Sequence, residues 1–149
     1  IKADRQFKKL VPSRHKVQHC RASEVPKFQI KDTAFSTVTT NYNWRTACHK
    51  DKGDLVEGFG NLLVLEKDKC GYNCPSYEGG YLGFPKFKVC VDVRQGDFLA
   101  MDVHQWHCNI GMSEGKFDTK NNKYPRDNNY GRLSLVCYLR NKMIKCKND

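Results

Sequence analysis

Residues 132–138 read Arg132-Leu133-Ser134-Leu135-Val136-Cys137-Tyr138, and this stretch is the last strong β-strand signal in the chain. Side chains two residues apart share one face of a strand. Arg132, Ser134 and Tyr138 therefore lie on the same face, as does Arg140 if the strand continues. An arginine placed in this way could hold the carboxylate of an organic co-substrate through two parallel hydrogen bonds.

Shorter stretches of β-branched, aromatic and apolar residues precede this strand at intervals of about ten residues. Residues 94–97 form a predicted turn, and residues 110–130 a long polar loop. Residues 1–26 are polar and basic, which fits either a helix and loop or an arm. The pattern predicts a mainly β sandwich or barrel. Its predicted strands are residues 28–40, 60–65, 79–85, 89–93 and 98–103.

The size and charge of the chain limit its possible functions. With 149 residues it can form one domain with a real core. It starts at Ile1 without an initiator Met, which predicts a processed product or an excised domain. No apolar run is long enough to cross a membrane, and no signal peptide is recognisable. The net charge of +10 favours an acidic partner, nucleic acid first, although a basic surface can also serve solubility alone.

The eight cysteines fit either an oxidising or a reducing compartment by number alone. Cys90 and Cys137 lie inside apolar runs, as buried free thiols do, and this favours a reducing compartment. Cys70 and Cys74 lie in a loop that contains Gly, Asn and Pro. They could bind zinc with further ligands from elsewhere, but a disulfide or two free thiols is the stronger expectation.

A metal-binding pattern lies near the middle of the chain, in Cys48-His49-Lys50-Asp51, and continues downstream with His107. Two histidines and one carboxylate form the ligand set that holds non-haem Fe(II) and leaves three positions open. His49 and Asp51 share a face if their segment is extended. His104 competes with His107 for the third position. A polar surface strand can show His-x-Asp by chance, so the pattern alone leaves that alternative open.

Six blocks of sequence resemble the TET/JBP family, the 2-oxoglutarate- and iron-dependent oxygenases that oxidise 5-methylpyrimidines in nucleic acid. The His-x-Asp pair is unspecific, whereas the closing strand after a histidine at the end of a Gly-Asp strand is much more specific. The family's fold is a double-stranded β-helix of the jelly-roll or cupin kind, which agrees with the strand pattern. The resemblance covers residues 28–140, in the blocks 45–54 (RTACHKDKGD), 58–62 (GFGNL), 79–81 (GGY), 96–102 (GDFLAMD), 106–107 (WH) and 132–138 (RLSLVCY).

The resemblance implies a metal site made of His49, Asp51 and His107, which would hold Fe(II). His107 is preferred to His104 because it follows Trp106 at the end of a strand, where the family places its ligand. His104 would then have a supporting role. His15 and His19 fall outside the resemblance, and we expect both to be exposed.

The resemblance also implies a site for 2-oxoglutarate. Arg132 would bind the far carboxylate of this co-substrate, and Ser134 on the same strand face could add a hydroxyl. O2 would be the oxidant. An algal relative with a similar His-x-Asp-x-x-Asp pattern uses ascorbate, and Arg132 argues for 2-oxoglutarate here without removing ascorbate from consideration. The long loop before Arg132 is a candidate lid or substrate loop.

The base of a nucleotide flipped out of its helix would stack on Tyr138, the position that the family uses for this purpose. Asp54 and Arg140 map to the two residues that touch the base edge, where cytosine-acting animal members have Asn and His. Asp54 could accept from the amine of 5-methylcytosine or from the ring N–H of thymine, with Arg140 donating in either case. The choice of pyrimidine stays open.

Taken together, these features predict a dioxygenase that hydroxylates the methyl group of a 5-methylpyrimidine in nucleic acid, DNA before RNA. The alternatives are an oxygenase of the same scaffold that acts on a protein side chain or small molecule, and a non-catalytic binding module. We expect residues 1–27 to be an arm or helix and residues 28–149 to be the oxygenase domain. We also expect a monomer in a reducing compartment, the cytoplasm or nucleus, with a viral origin as one option.

Overall fold

A computed structural model describes residues 2–66, 77–113 and 131–146, and strands outnumber helices in this part of the chain. The mainly β prediction is therefore confirmed. In chain order the described elements are α1 (Lys2–Ser23), β1 (Thr37–Tyr42), β2 (Gly60–Glu66), β3 (Glu78–Gly79), β4 (Leu82–Phe84), β5 (Val89–Val91), β6 (Phe98–Met101), β7 (Cys108–Asn109), β8 (Met112–Ser113), β9 (Arg132–Tyr138) and α2 (Asn141–Ile144).

The main sheet of the described residues has four antiparallel strands in the order β1-β9-β2-β6. Strand β9 pairs with β1 from Leu133 to Tyr138 on one side, and with β2 from Arg132 to Cys137 on the other. Backbone N–H and C=O groups on both edges of β9 are thus satisfied within the sheet. A smaller sheet has the order β5-β4-β7, and β3 pairs with β8.

The core lies between the main sheet and the smaller one. Leu62 and Val64 of β2 and Met101 of β6 pack with Leu82 of β4 in one buried cluster. Two facing antiparallel sheets around one apolar layer form the predicted double-stranded β-helix. Gly60 has a packing role here, because a Cβ atom at this position would overlap the side chain of Val103.

Helix α1 resolves the open prediction for residues 1–26, because it runs almost to the end of that segment. Gln18 is buried and makes two hydrogen bonds with the backbone of Phe59, one from its amide nitrogen (3.1 Å) and one to its carbonyl oxygen (3.0 Å). A side chain at Gly58 would collide with Gln18. A larger residue at position 58 would therefore displace the Gln18 side chain from its two bonds to Phe59. The division of the chain at residue 27 stays a prediction.

The two histidines of α1 differ in their surroundings. His19 is exposed, as expected. His15 is only half-exposed, and its Nε2 lies 2.9 Å from Oδ1 of the buried Asn61. The prediction of an exposed His15 was wrong because the helix turns this residue toward β2. None of the helices in the described ranges is long and apolar enough to cross a membrane.

The predicted strand at residues 28–40 begins too early, since β1 starts only at Thr37. Asp32 has a left-handed backbone (φ 57°), and the Thr33 hydroxyl donates to the Ile30 carbonyl over 2.7 Å. The Gln29 side chain donates to the Thr33 carbonyl at the same distance. These local side-chain bonds stabilise a turn in a segment whose composition favours a strand.

The other strand predictions are close to the observed bounds. The segment 60–65 lies within β2 and 132–138 is β9, whereas residues 79–85 split at Gly80 into β3 and β4. Gly79 and Gly80 both have positive φ angles, 81° and 72°, which bend the chain between the two strands. The strands predicted at 89–93 and 98–103 each end two residues early. The turn at residues 94–97 is confirmed by the bond from Asp97 N–H to the Arg94 carbonyl.

Three of the remaining predictions concern loops and thiols. Residues 112–113 of the predicted loop form β8, while residues 114–130, with the candidate lid, and Cys70 and Cys74 lie outside the described residues. Cys137 is half-buried, but Cys90 is exposed, so its predicted burial was wrong. Strand β5 lies at the edge of the smaller sheet, and none of its three residues is buried.

Candidate active site

Backbone pairing brings the two predicted histidine ligands face to face. His49 N–H donates to the His107 carbonyl (2.9 Å), and His107 N–H donates to the His49 carbonyl (3.0 Å). Asp51 N–H donates to the Val103 carbonyl (3.0 Å), which keeps this segment extended along the same neighbour. His49 and Asp51 therefore point to one side, as the period of two predicts.

The side chains of this triad converge on one point. His49 Nε2 lies 3.4 Å from one carboxylate oxygen of Asp51, and His107 Nε2 lies 3.6 Å from the other. The ligand atoms of all three residues lie within 4.8 Å of one another. His107 is almost fully buried, whereas the other two side chains are about one-third exposed, so the group is open to the surface on one side.

The outer nitrogens of both imidazoles determine what faces the centre. His49 Nδ1 lies 2.7 Å from the Ala47 carbonyl, and His107 Nδ1 lies 2.9 Å from the Gln105 carbonyl. A carbonyl oxygen can only accept, so each Nδ1 carries the proton. In a neutral ring the lone pair of Nε2 then faces Asp51, whose carboxylate oxygens are acceptors as well. Three acceptors that face one another are satisfied by a cation at their centre.

The competing His104 lies outside this triad. Its Nδ1 is 3.3 Å from Asp102, whose carboxylate also accepts from the His104 backbone N–H (3.0 Å) and from the Gln105 amide (3.1 Å). The hydrogen bonds from Gln105 and His104 lower the pKa of Asp102 despite its partial burial. This carboxylate therefore holds His104 in place, and the preference for His107 agrees with the observed geometry.

Arg132 lies at the inner end of β9 and is only 2% exposed. Its backbone N–H donates to the side chain of Asn43 (2.8 Å). Among the described residues, however, its Nε and Nη2 have no hydrogen-bond partner. Buried guanidinium nitrogens without partners are costly unless a ligand completes them, and they match the two oxygens of a carboxylate. Ser134, two residues further along, is buried and lines the cavity described below.

A second buried charged group adjoins Arg132. The Tyr77 hydroxyl donates to Glu66 (2.7 Å), and Arg94 lies 2.7 Å from Asp92 and 3.9 Å from Glu66. Burial, reinforced by the hydrogen bond to Glu66, raises the pKa of Tyr77 above its ordinary value. Tyr77 therefore keeps its proton, and Arg94 is already paired. Among the described residues, Arg132 therefore differs from Arg94 in having buried donors without a partner.

A cavity of about 350 Å³ opens beside the triad. Its wall includes the three triad residues, and Leu62, Leu82 and Met101 add apolar surface from both sheets. Volume and mixed polarity are those of a small-molecule site. Ser134 lines this wall, whereas the guanidinium of Arg132 does not. The prediction that Arg132 points into this cavity is therefore not confirmed: Arg132 shares the strand face of Ser134 but does not line the wall.

The three predicted base-contacting residues meet at the outer side of the cavity. Asp54 and Arg140 are backbone partners in an isolated antiparallel bridge, and both line the cavity with Tyr138. The Arg140 guanidinium lies 5.7 Å from the centre of the Tyr138 ring, and the Tyr138 hydroxyl lies 3.1 Å from the hydroxyl of Thr39. Arg140 is exposed and Asp54 is buried, so the cation stands nearer to solvent than the carboxyl.

The carboxyl of Asp54 has a pKa above its ordinary value. Burial, followed by the nearby charge of Asp51, raises the pKa of Asp54 from 3.8 to about 6, although Arg140 and His104 act in the opposite direction. This carboxyl can therefore change its protonation state close to neutral pH. As a hydrogen-bonding partner it is an acceptor when ionised and both donor and acceptor when protonated.

Two tryptophans complete the surroundings of the site, and the sequence reasoning gave them no contact role. Trp44 lines the cavity and is 62% exposed. Trp106 is half-exposed, with the Lys50 ammonium 5.4 Å from its ring centre. Lys50 and Lys52 both lie on the cavity wall. The sequence signal that could have identified Trp44 is an aromatic residue beside Arg45, just before the first ligand.

Comparison of the sequence with known proteins identifies one family. The model of the Tet_JBP family, described as the oxygenase domain of the 2OGFeDO superfamily, matches residues 3–141. The bifunctional helicase and thymine dioxygenase JBP2 of Leishmania braziliensis is 33% identical over 137 residues, which cover 92% of this chain and 11% of that protein. Thymine dioxygenase JBP1-B of Trypanosoma cruzi (strain CL Brener) is 32% identical over 134 residues, 90% of this chain and 14% of that protein.

Comparison of the structure with solved structures bears on the fold. A solved structure, NgTET1 in complex with 5mC DNA, aligns with a TM-score of 0.57 and 14% identity, covering 85% of this chain and 42% of that one. This likeness supports the double-stranded β-helix. The chain spans about a tenth of the length of the curated relatives, 11% for the JBP2 protein. The family match begins at residue 3 and so includes α1, which the resemblance seen in the motifs did not.

Proposed function

This chain belongs to the TET/JBP oxygenase family of the 2OGFeDO superfamily, and from that membership we propose that it is an Fe(II)- and 2-oxoglutarate-dependent dioxygenase. Its substrate would be the methyl group of a 5-methylpyrimidine in DNA. The observation that carries the proposal is the triad of His49, Asp51 and His107, whose ligand atoms lie within 4.8 Å of one another while both Nδ1 atoms face backbone carbonyls, so that Nε2 of each ring faces the centre.

The donor set fits ferrous iron. Two neutral imidazole nitrogens and one carboxylate on one side of an ion leave the opposite side open for a co-substrate and O2. When bound, the iron and 2-oxoglutarate supply the oxidising chemistry that removes hydrogen from an unactivated methyl group. The role of the chain is to hold the three metal-binding side chains in position. The Ala47 and Gln105 carbonyls fix the ring orientation of the two histidines.

Arg132 supports 2-oxoglutarate as the co-substrate. Its Nε and Nη2 are the pair of guanidinium donors that can bind one carboxylate side-on, and both are buried without a partner among the described residues. The Ser134 hydroxyl, on the same face and on the cavity wall, can add a further bond. Ascorbate lacks a carboxylate in a matching position, so we propose it only as an auxiliary reductant.

The outer part of the cavity supports a base as the substrate. Tyr138 offers a ring for stacking, Arg140 a donor and Asp54 a group that can accept or donate according to its protonation. The curated relatives are named thymine dioxygenases, which supports thymine as the first base to test here. 5-Methylcytosine is the second, because Asp54 can accept from its exocyclic amine.

The charge of the chain supports a nucleic acid as the partner. The net charge is +10, and the cations Lys50, Lys52 and Arg140 stand on the cavity wall where a phosphate backbone would pass. We propose DNA rather than RNA, in line with the relatives. We further propose that the domain acts as a monomer inside the cell, in a reducing compartment.

The test is an oxidation assay on matched DNA oligonucleotides with thymine, 5-methylcytosine or unmethylated cytosine at one position. Each is incubated with the iron-loaded protein, 2-oxoglutarate and O2, and the digested nucleosides are analysed by mass spectrometry. We expect one added oxygen on a methylated pyrimidine and none without 2-oxoglutarate. A His107→Ala variant is the control for chemistry by free iron.

The assay also separates the alternatives. Consumption of 2-oxoglutarate with no oxidised base in any DNA or RNA oligonucleotide would favour an oxygenase that acts on a protein side chain or small molecule. Failure to bind Fe(II) would favour a non-catalytic binding module. Either result would overturn the proposal in its present form.

A further inference from the structure

Two free cysteines lie directly behind the paired histidines. Cys48 precedes His49, and Cys108 follows His107. Because His49 and His107 exchange both backbone hydrogen bonds, Cys48 and Cys108 are the next residues on the two facing segments. The following bond, from Asn109 N–H to the Thr46 carbonyl (3.2 Å), leaves one extra residue on the Cys48 side, so Cys108 lies opposite the short bulge that contains Cys48.

The two thiols are close enough to influence each other. Burial, followed by the neighbouring Cys48 thiol, raises the pKa of the Cys108 thiol. Side chains alternate along an extended segment, so both thiols point away from the face that carries the histidines. In keeping with this, neither residue lines the cavity that holds the triad. Cys48 is exposed and Cys108 half-buried, which makes the pair accessible from solvent through Cys48.

A third thiol nearby provides a built-in comparison. Cys90 and Cys108 are the partners of Gly83 on the two sides of β4, and a Cβ atom on Gly83 would lie 3.7 Å and 3.3 Å from their sulfurs. Their backbones are nevertheless separated by two inter-strand spacings, roughly 9.6 Å. A disulfide needs Cα atoms less than about 7 Å apart. Cys90 is therefore close to Cys108 but cannot be bridged to it without backbone movement.

We propose that Cys48 and Cys108 form a reversible disulfide that joins the two segments carrying His49 and His107. The oxidant is a small disulfide such as oxidised glutathione. The Cys48 thiol, as thiolate, breaks the sulfur–sulfur bond of the oxidant and releases one glutathione thiol. Cys108 then attacks the mixed disulfide, which releases the second glutathione and forms the protein bridge. Two electrons and two protons pass from the protein thiols to the two glutathione thiols.

The bridge links positions 48 and 108, which are far apart in sequence, and so constrains the unfolded chain. In the folded protein it fixes the distance between the two histidine-bearing segments from the face opposite the cavity. We therefore expect the oxidised protein to melt at a higher temperature than the reduced one.

In the experiment, the purified protein is treated with oxidised glutathione and its remaining thiols are blocked by alkylation. It is then digested with trypsin without reduction. The expected product joins residues 46–50 to residues 95–116 and disappears on reduction. Cys90→Ser should still give it, whereas Cys48→Ser and Cys108→Ser should not. Thermal melting of oxidised and reduced samples should show a rise of several degrees in the wild type and in Cys90→Ser, and no rise in the other two variants.

Other outcomes of the same experiment would overturn the proposal. A bridge between Cys90 and Cys108, or stable glutathione adducts on Cys48 with no internal bridge, would overturn the assignment of the pair. A bridge that forms with an unchanged melting temperature would overturn its role in joining the two segments. The readouts involve no oxygenase turnover, so they stand apart from the function proposed above.

Discussion

The two ends of β9 belong to one strand and share one face, yet they have opposite surroundings. At the inner end Arg132 and Ser134 are 2% and 5% exposed, and the Arg132 guanidinium has buried nitrogens without partners among the described residues. At the outer end Tyr138 is half-buried and Arg140 is exposed. A buried cation requires one matching anion, whereas an exposed cation tolerates many partners. This difference underlies the proposal that β9 binds 2-oxoglutarate at its inner end and DNA at its outer end.

The largest effect on activity should come from removing the metal site, because turnover needs the iron whatever the two ends of β9 bind. In His107→Ala the cation loses a buried ligand, so Fe(II) binding and all turnover should disappear, while binding to nucleic acid stays within about twofold. Metal content of the purified protein and a filter-binding assay with an oligonucleotide measure the two quantities. His104→Ala is the matched control, because His104 is held by Asp102 outside the triad. Loss of iron in the control and retention in His107→Ala would reverse the assignment of the ligand.

The next effect concerns the inner end alone. Arg132→Lys keeps the charge but loses the planar pair of donors, so the KM for 2-oxoglutarate should rise on the order of 10- to 100-fold. Iron binding and the affinity for nucleic acid should not change. Steady-state kinetics with varied 2-oxoglutarate, at fixed DNA, measure the change. An unaltered KM would indicate that another group holds the co-substrate and that the contrast between the two ends of β9 is only one of burial.

Asp54 allows a test by pH. Because burial and Asp51 raise its pKa from 3.8 to about 6, the folded, metal-free protein holds this proton more tightly than the unfolded chain does. The corresponding stability is complete below pH 3.8 and is lost as the pH rises through about 6. Asp54→Asn has no such loss, so above pH 6 it should melt several degrees higher than the wild type. Below pH 3.8 the two should converge.

The same variant tests the reading of the base. The amide that Asp54→Asn introduces would present both a donor and an acceptor, so the ratio of thymine to 5-methylcytosine oxidation should change several-fold. The ratio is measured on the oligonucleotides used for the proposed function. If the melting curves separate as expected while the ratio stays the same, Asp54 is a buried group of the cavity wall without a part in choosing the base.

The smallest effect belongs to the outer end. Arg140→Lys retains the charge at an exposed position, so the affinity for DNA should fall only a few-fold and the KM for 2-oxoglutarate should stay unchanged. Arg140→Gln removes one cation and should also reduce the dependence of log Kd on log salt by about one charge. Titrations at several salt concentrations measure both. A rise in the KM for 2-oxoglutarate in Arg140→Lys would contradict the division of labour along the strand.

Several features of this protein followed from local sequence. The alternation of side chains predicted β9 and the shared face of Arg132 and Ser134, and the spacing of His49 and Asp51 predicted that they point the same way. These depend on residues two apart in extended backbone, a relation that holds wherever the strand lies. Composition misled where side chains bond locally, as in the turn around Asp32 that precedes β1.

Other features were decided only by the tertiary structure. The pairing of His49 with His107 selects that histidine over His104, and the bridge of Asp54 with Arg140 gathers the outer site. Within the described ranges, burial leaves Nε and Nη2 of Arg132 without partners, whereas Arg94 is paired with Asp92. Each relation joins residues far apart in sequence, or depends on what surrounds a side chain. Strand register and burial arise when the whole chain packs, so no local pattern of residues contains them.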